Sequence, residues 1–382
     1  MSSLKHRSSP SPPPIRPPLP LWRQRGCGLL LAGAALVCLS GWLFLPHLPM
    51  RAWPGAGGGL AFSPDGRLLA IGGWHLEVRY ADGGLVHKLG DGYHLAATFS
   101  PNGELLAAGS LEGSVRLYRV ADGQALHTLS GHTASIQSLA FSPDDQLLAS
   151  GGSSGDGTIH LWEVSSGRLR FRRAYAVEQY GRAFFIWSLA FSPDGRWLAV
   201  GSGSVDLLDP RDGRLVRRIA PRGATHLAFS PDGRTLIGGR TKEIVVWQVS
   251  DGRVVQRLDR WSDDIYDPSI ATITLSPDGQ YVAVGLRPAG GSVFVLDFRW
   301  WVGSELWRLR DGQRVQRYIG HVDGAQRMAF APDGRTLASS GNDDTVRIWR
   351  VTPLGPWQRG LVLGLALLLG GGAWRLLWGR AR

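Results

Sequence analysis

Histidine has the widest chemical repertoire of any side chain, and eight of the ten in this 382-residue chain fall between residues 48 and 352. They are His75, His87, His94, His127, His132, His160, His226 and His321. A metal centre needs His, Asp or Glu converging at ligand spacing, and a nucleophile needs a base held beside it. The sequence contains no HxH, HExxH, CxxC or GxxxxGK[ST]. The GGSSGDG at Gly151 has the composition of a phosphate-binding loop. It lies between two strand-like runs, without the helix whose N-terminus would face a phosphate, so it reads as a hairpin connection. Trp74 and His75, after Gly72 and Gly73, form a weak polar hint that reads as an ordinary loop. The only cysteines, Cys27 and Cys38, sit outside this region and build no disulfide framework. These residues point away from an enzyme, and neither a metal nor a cofactor is expected.

What positions them is a unit written seven times. LAFSPDGR occurs at Leu60, Leu189 and Leu227, with variants at Thr98, Leu139, Thr274 and Met328. In residues 189–196, Leu189 and Phe191 share one face of an extended chain. The SPDG that follows is a turn: proline presets φ, and glycine suits a position needing φ > 0. Residues 196–201 return as a second strand, so each copy predicts a β-hairpin. The motif prolines are spaced by 37, 42, 50, 38, 46 and 55 residues. A period near 40 filled with strands predicts a propeller with four strands per blade. The fold class is therefore all-β: a seven-bladed propeller of four-stranded antiparallel blades over residues 47–353. The seventh copy has no fourth strand after residue 351, so residues just before the first copy, around 49–53, must supply it. That closure also removes an exposed sheet edge.

Gly131-His132 and Gly320-His321, with IHLW and VRIW further on, make the chain similar to the WD-repeat propellers over about residues 48–352. The resemblance implies a buried tetrad of His, Ser or Thr, Asp and Trp within a blade. The third blade matches with His132, Ser150, Asp156 and Trp162, and the seventh with His321, Ser339, Asp343 and Trp349. The other blades lack one or more members, which implies uneven blade stability.

The net charge of +11 invites a nucleic-acid reading, but its distribution opposes one. Five basic residues and no acid lie in residues 1–25, and four basic residues and no acid in 354–382, leaving the region between near neutral. No nucleic-acid partner is expected. Residues 1–25 are a Ser/Pro-rich basic tail that buries nothing. Residues 26–46 are uncharged, long enough for a transmembrane helix of about twenty residues. A cleaved signal peptide would have a shorter apolar run. Residues 357–377 form a second expected span around a fifteen-residue uncharged core, with Trp357, Trp374 and Trp378 suited to interfaces, and 378–382 are a basic tail. The basic flanks put both termini in the cytoplasm and the propeller outside.

Three connections exceed the repeat length: residues 171–185, 259–270 and 287–303. By strand alternation all open on one face, the top, away from the membrane. They carry Tyr175, Tyr180, Phe184, Phe185, Trp261, Tyr266, Trp300 and Trp301. Aromatics on insertion loops are what interface hot spots are made of. The reading is a membrane-anchored, non-catalytic scaffold that binds protein partners on its top face. Its rival is an enzyme or small-ligand receptor using the central channel.

Overall fold

The computed structural model describes residues 49–54, 57–175, 185–224, 226–259, 269–287, 303–321 and 324–352. They form seven four-stranded antiparallel sheets. Six are consecutive in sequence. The third, for example, runs Ile136–Phe141, Leu147–Gly152, Thr158–Glu163 and Leu169–Ala174 from inner to outer strand. The seventh is assembled from both ends of the ring: Ala325–Phe330, Thr336–Gly341 and Thr345–Arg350, with Arg51–Pro54 as its outer strand. Arg51 lies opposite Ile348 and Trp53 opposite Val346. The strand deficit at the C-terminal end is thus met by the N-terminal segment.

The apolar alternation along the strands builds the core between blades. Seven buried clusters occur among the described residues, one for each pair of neighbouring blades. The third and fourth blades meet through Leu161, Ile186, Leu198 and Val200. The ring closes where Leu60, Leu69 and Ile71 of the first blade meet Val346 and Ile348 of the seventh, with Trp53 packed against them.

Each SPDG turn is held by more than its backbone preferences. The Ser192 hydroxyl donates to Asp194 Oδ1 at 2.6 Å and accepts from the Trp197 amide at 2.9 Å. The Asp194 carboxylate also accepts from the Arg196 amide at 3.1 Å. Gly195 sits at φ 69°, where a Cβ is strained. In the third copy Asp145 adopts φ 60° in its place, a conformation that Asp tolerates better than most residues. The Ser bond first, then the backbone bond, holds the Asp194 carboxyl below its ordinary pKa, and Asp65 and Asp232 behave alike.

Among the described residues no helix is long and apolar enough to cross a membrane. The segments 26–46 and 357–377, and the tails 1–25 and 378–382, lie outside the described residues.

Trp53 is half-buried in the closing interface, whereas Tyr80 is 52% exposed on the third strand of the first blade. Trp53→Ala is expected to lower stability by roughly 2 kcal/mol. Tyr80→Ala should stay within about 0.5 kcal/mol. Equal effects in denaturant titrations would show that the closure contributes nothing special.

Candidate functional site

In the third blade His132 lies beside the loop that joins Leu147–Gly152 to Thr158–Glu163. The His132 ring bonds Asp156 through Nδ1, and its Nε2 lies 2.7 Å from Ser150 Oγ. The Trp162 indole N–H donates to the same Ser150 Oγ at 2.8 Å. A carboxylate only accepts, so Nδ1 carries the ring proton and Nε2 accepts the serine hydroxyl. Thr158 donates to Asp156 Oδ2 at 2.7 Å. The seventh blade repeats the connections. His321 Nδ1 lies 2.9 Å from Asp343 Oδ1, and its Nε2 lies 2.7 Å from Ser339 Oγ, which accepts from Trp349 Nε1 at 2.7 Å. Arg347 adds an ion pair to Asp343 at 3.2 Å.

These networks have the Asp–His–Ser order of a hydrolytic triad, but Ser150 and Ser339 are 0% exposed. Their hydroxyls are engaged on both sides, so no substrate carbonyl has access. Burial alone would raise the Asp156 carboxyl, but the bonds from His132 and Thr158 outweigh it and the net shift is downward. Residues 151–155, GGSSG, spell the GxSxG of a nucleophile elbow. An elbow needs a strand-to-helix turn. Here strands flank the segment on both sides, and Ser153 is buried.

Other blades solve the same packing problem differently. In the sixth, Glu305 accepts from the Trp307 indole at 3.0 Å and pairs with Arg314 at 2.7 Å. In the second, LLAAGS stands where the third has LLASGG, so Ala108 replaces the serine. There His94 and Tyr118 are buried without a hydrogen-bond partner for either ring nitrogen or for the hydroxyl.

The long connections lie mostly beyond view. Tyr180, Phe184, Trp261, Tyr266, Trp300 and Trp301 lie outside the described residues. Two members of the expected aromatic cluster are described. Tyr175 is half-buried against the third and fourth blades, with Arg173 over its ring at 5.7 Å. Phe185 stacks on Trp187 at 4.4 Å. The ends of this connection do sit on the top rim: Tyr175 N–H donates to Gly157 O, and Ile186 N–H to Gly152 O. On the same rim, over the first two blades, lies an aromatic pair, of which the sequence offered Trp74 only as a loop residue. Trp74 is 71% exposed and meets Tyr93 edge-on at 5.3 Å. Leu111, 53% exposed, donates its amide to Tyr93 O. Their positions in loops between strands were legible, but their adjacency was not.

A family model described as "WD domain, G-beta repeat" matches four segments, residues 88–119, 123–163, 178–207 and 312–350. The seven-bladed ring carries four WD40 repeats. An uncharacterized WD repeat-containing protein of Synechocystis is 38% identical over 82 residues, 21% of this chain and 20% of that protein. Nuclear distribution protein PAC1-1 of Uncinocarpus reesii is 28% identical over 282 residues, 70% of this chain and 61% of its own. The chain thus spans only part of these relatives' length. One chain of a crystal structure of the mitotic checkpoint complex superposes with a TM-score of 0.66 at 21% identity, covering 80% of this chain and 92% of that one. At that identity the likeness is one of fold. Propellers of this family typically serve as protein-interaction scaffolds.

Removing His321 takes a hydrogen-bond partner from both Ser339 and Asp343. His321→Ala is expected to cost about 1–3 kcal/mol, read by denaturant titration. An unchanged midpoint would show that the network does not hold the blade. A second expectation concerns pH. Burial, as the largest cause, pushes His94 and His160 down to about 4 and His226 down to about 3. The unfolded chain takes up these protons near pH 6.5, and the folded ring does so only near pH 3–4. Stability should therefore fall as pH drops from about 6.5 to 4, with the SPDG aspartates adding to the loss below about 4. A melting temperature flat from pH 7 to 4.5 would contradict this.

Proposed function

We propose that this WD40 propeller is a non-catalytic protein-interaction scaffold, held at a membrane by residues 26–46 and 357–377. In this reading the ring lies on the extracytoplasmic side and both termini lie in the cytoplasm. The observation that carries the tether is the place where chain enters and leaves the ring. Met50 N–H donates to Ile348 O at 2.7 Å, and Val351 N–H donates to Arg335 O at 2.8 Å, beside the turn of the seventh hairpin. Entry and exit therefore share the rim that bears the SPDG turns. Each is separated from an uncharged segment by only a few residues. Two anchors attached there would turn the opposite, top rim away from the bilayer.

That top rim is the partner surface in this reading. It carries Trp74, Tyr93 and Leu111 over the first two blades, with Phe185 at the edge of the 171–185 connection. The Tyr180, Phe184, Trp261, Tyr266, Trp300 and Trp301 side chains belong to connections that leave the same rim. A monomer rarely exposes several large apolar groups together without use. The engaged serines of both tetrads favour a structural role for those networks over catalysis.

Two measurements test the two halves of the reading. Reporter fusions at residues 5 and 382 are expected to give cytoplasmic signals; an extracytoplasmic signal from either end contradicts the topology. For the partner surface, Trp74→Ala combined with Trp300→Ala should weaken capture of a crosslinked membrane partner by about thirtyfold or more. Folding should survive both changes. Undiminished capture would place the partner surface elsewhere.

A further inference from the structure

In a ring of seven, the third and seventh blades stand on opposite sides of the central channel. Arg327, on the inner strand Ala325–Phe330 of the seventh blade, reaches the third. Its Nη2 donates to the Gln137 carbonyl on the inner strand Ile136–Phe141, and its Nη1 to the Gln326 carbonyl, both at 3.4 Å. Charged donors ordinarily sit at 2.7–2.9 Å, so these bonds are long and weak. No carboxylate pairs with Arg327 among the described residues. Arg327 is part-buried, and burial pushes the pKa of its guanidinium down.

A second polar group faces the same space. His226 heads the inner strand His226–Phe229 of the fifth blade, and its Nδ1 is buried without a partner. Burial foremost, then the charges of Arg327 and Arg287, keep the His226 imidazole neutral at ordinary pH. Arg287 is itself occupied by Ser269 Oγ at 3.0 Å.

Toward the turn-bearing mouth, the character of the channel changes. The same inner strands end in Phe141 and Phe330, and with Phe62, Pro64, Pro101 and Pro277 they line a cavity of about 490 Å³. It opens broadly to the surface, and Ser63, Thr98 and Ser100 also line it. The channel thus has a cationic waist above an apolar mouth. A buried charge without a counter-charge is costly, and an anion from outside would offset it.

We propose that the central channel is a binding site for a small organic anion, a carboxylate or phosphate on an apolar body. Arg327 holds the anionic head by a bidentate contact, and the neutral His226, with its proton on Nδ1, donates a second bond. The apolar body lies among the phenylalanine and proline rings of the mouth. This site is separate from the partner surface on the opposite rim, and it stands or falls independently of the tether.

The test is calorimetric titration of the full chain with benzoate, phenyl phosphate and the neutral benzyl alcohol. Both the carboxylate and the phosphate probe share the required chemistry, and comparing them identifies the preferred head group. At least one anion is expected to bind, with benzyl alcohol at least about tenfold weaker. Arg327→Met should weaken the anion by roughly tenfold or more without lowering the melting temperature, because it removes an unpaired charge. Arg327→Lys keeps the charge but not the bidentate fork, and should give an intermediate affinity if the methionine variant does not fold. No binding by either anion, or equal binding of benzyl alcohol, overturns the proposal. So does anion affinity unchanged in either variant, or a lowered melting temperature in Arg327→Met with no anion binding by the parent chain, which would make Arg327 a brace across the channel.

Discussion

The antiparallel pairing of Arg51–Pro54 with Thr345–Arg350 is the interaction on which the ring depends. Every blade buries its faces against two neighbours, and none has a core of its own large enough to stand alone. Seven interfaces therefore require a closed circle. The hairpin and third strand of the seventh blade come from one end of the chain, and the strand that completes it comes from the other. Without it, Thr345–Arg350 would be an open edge, and the interface holding Leu60, Ile71 and Val346 would lose Trp53 from its outer wall. Closure also brings the entry and exit of the chain to one rim.

Within that circle the polar groups act as local fasteners. In the third and seventh blades the His–Ser–Trp bonds tie the loop before the inner strand to the second and third strands. The sixth blade uses Glu305 for the same indole, and the Arg314 partner keeps that buried carboxylate from standing unpaired. In six of the seven turns a serine precedes the proline; the seventh has Ala331, where Asp333 accepts from the Thr336 amide directly at 3.1 Å. The channel is the exception, because Arg327 places a charge where packing alone would favour an apolar group.

Much of this was legible in the sequence, for physical reasons that can be named. Leu189 and Phe191 alternate, proline and glycine fix the turn after them, and repetition sets the blade count. Counting strands was enough to require a clasp from the N-terminal side. The tetrads were another matter: His132 and Ser150 are 18 residues apart, and only the resemblance to WD repeats brought them together. The second bond made by Ser192 was hidden because a turn motif is readable from backbone preferences alone. Arg327 and Gln137 are 190 residues apart, and no local pattern announces that they meet across a channel. Length excess marked residues 171–185, of which 171–174 belong to the strand Leu169–Ala174. It could not tell that Tyr175 at its base packs between blades, a distinction set by tertiary contacts.

Native-state hydrogen exchange on the full chain tests ring closure most directly. If the clasp belongs to the same cooperative unit as the ring, the bonded amides of residues 51–53 and 345–350 should exchange only through global opening. Their protection would then match that of the second strand Leu198–Gly201 in the fourth blade. Rapid exchange along 51–53 and 345–350, with 198–201 still protected, would contradict closure by this strand.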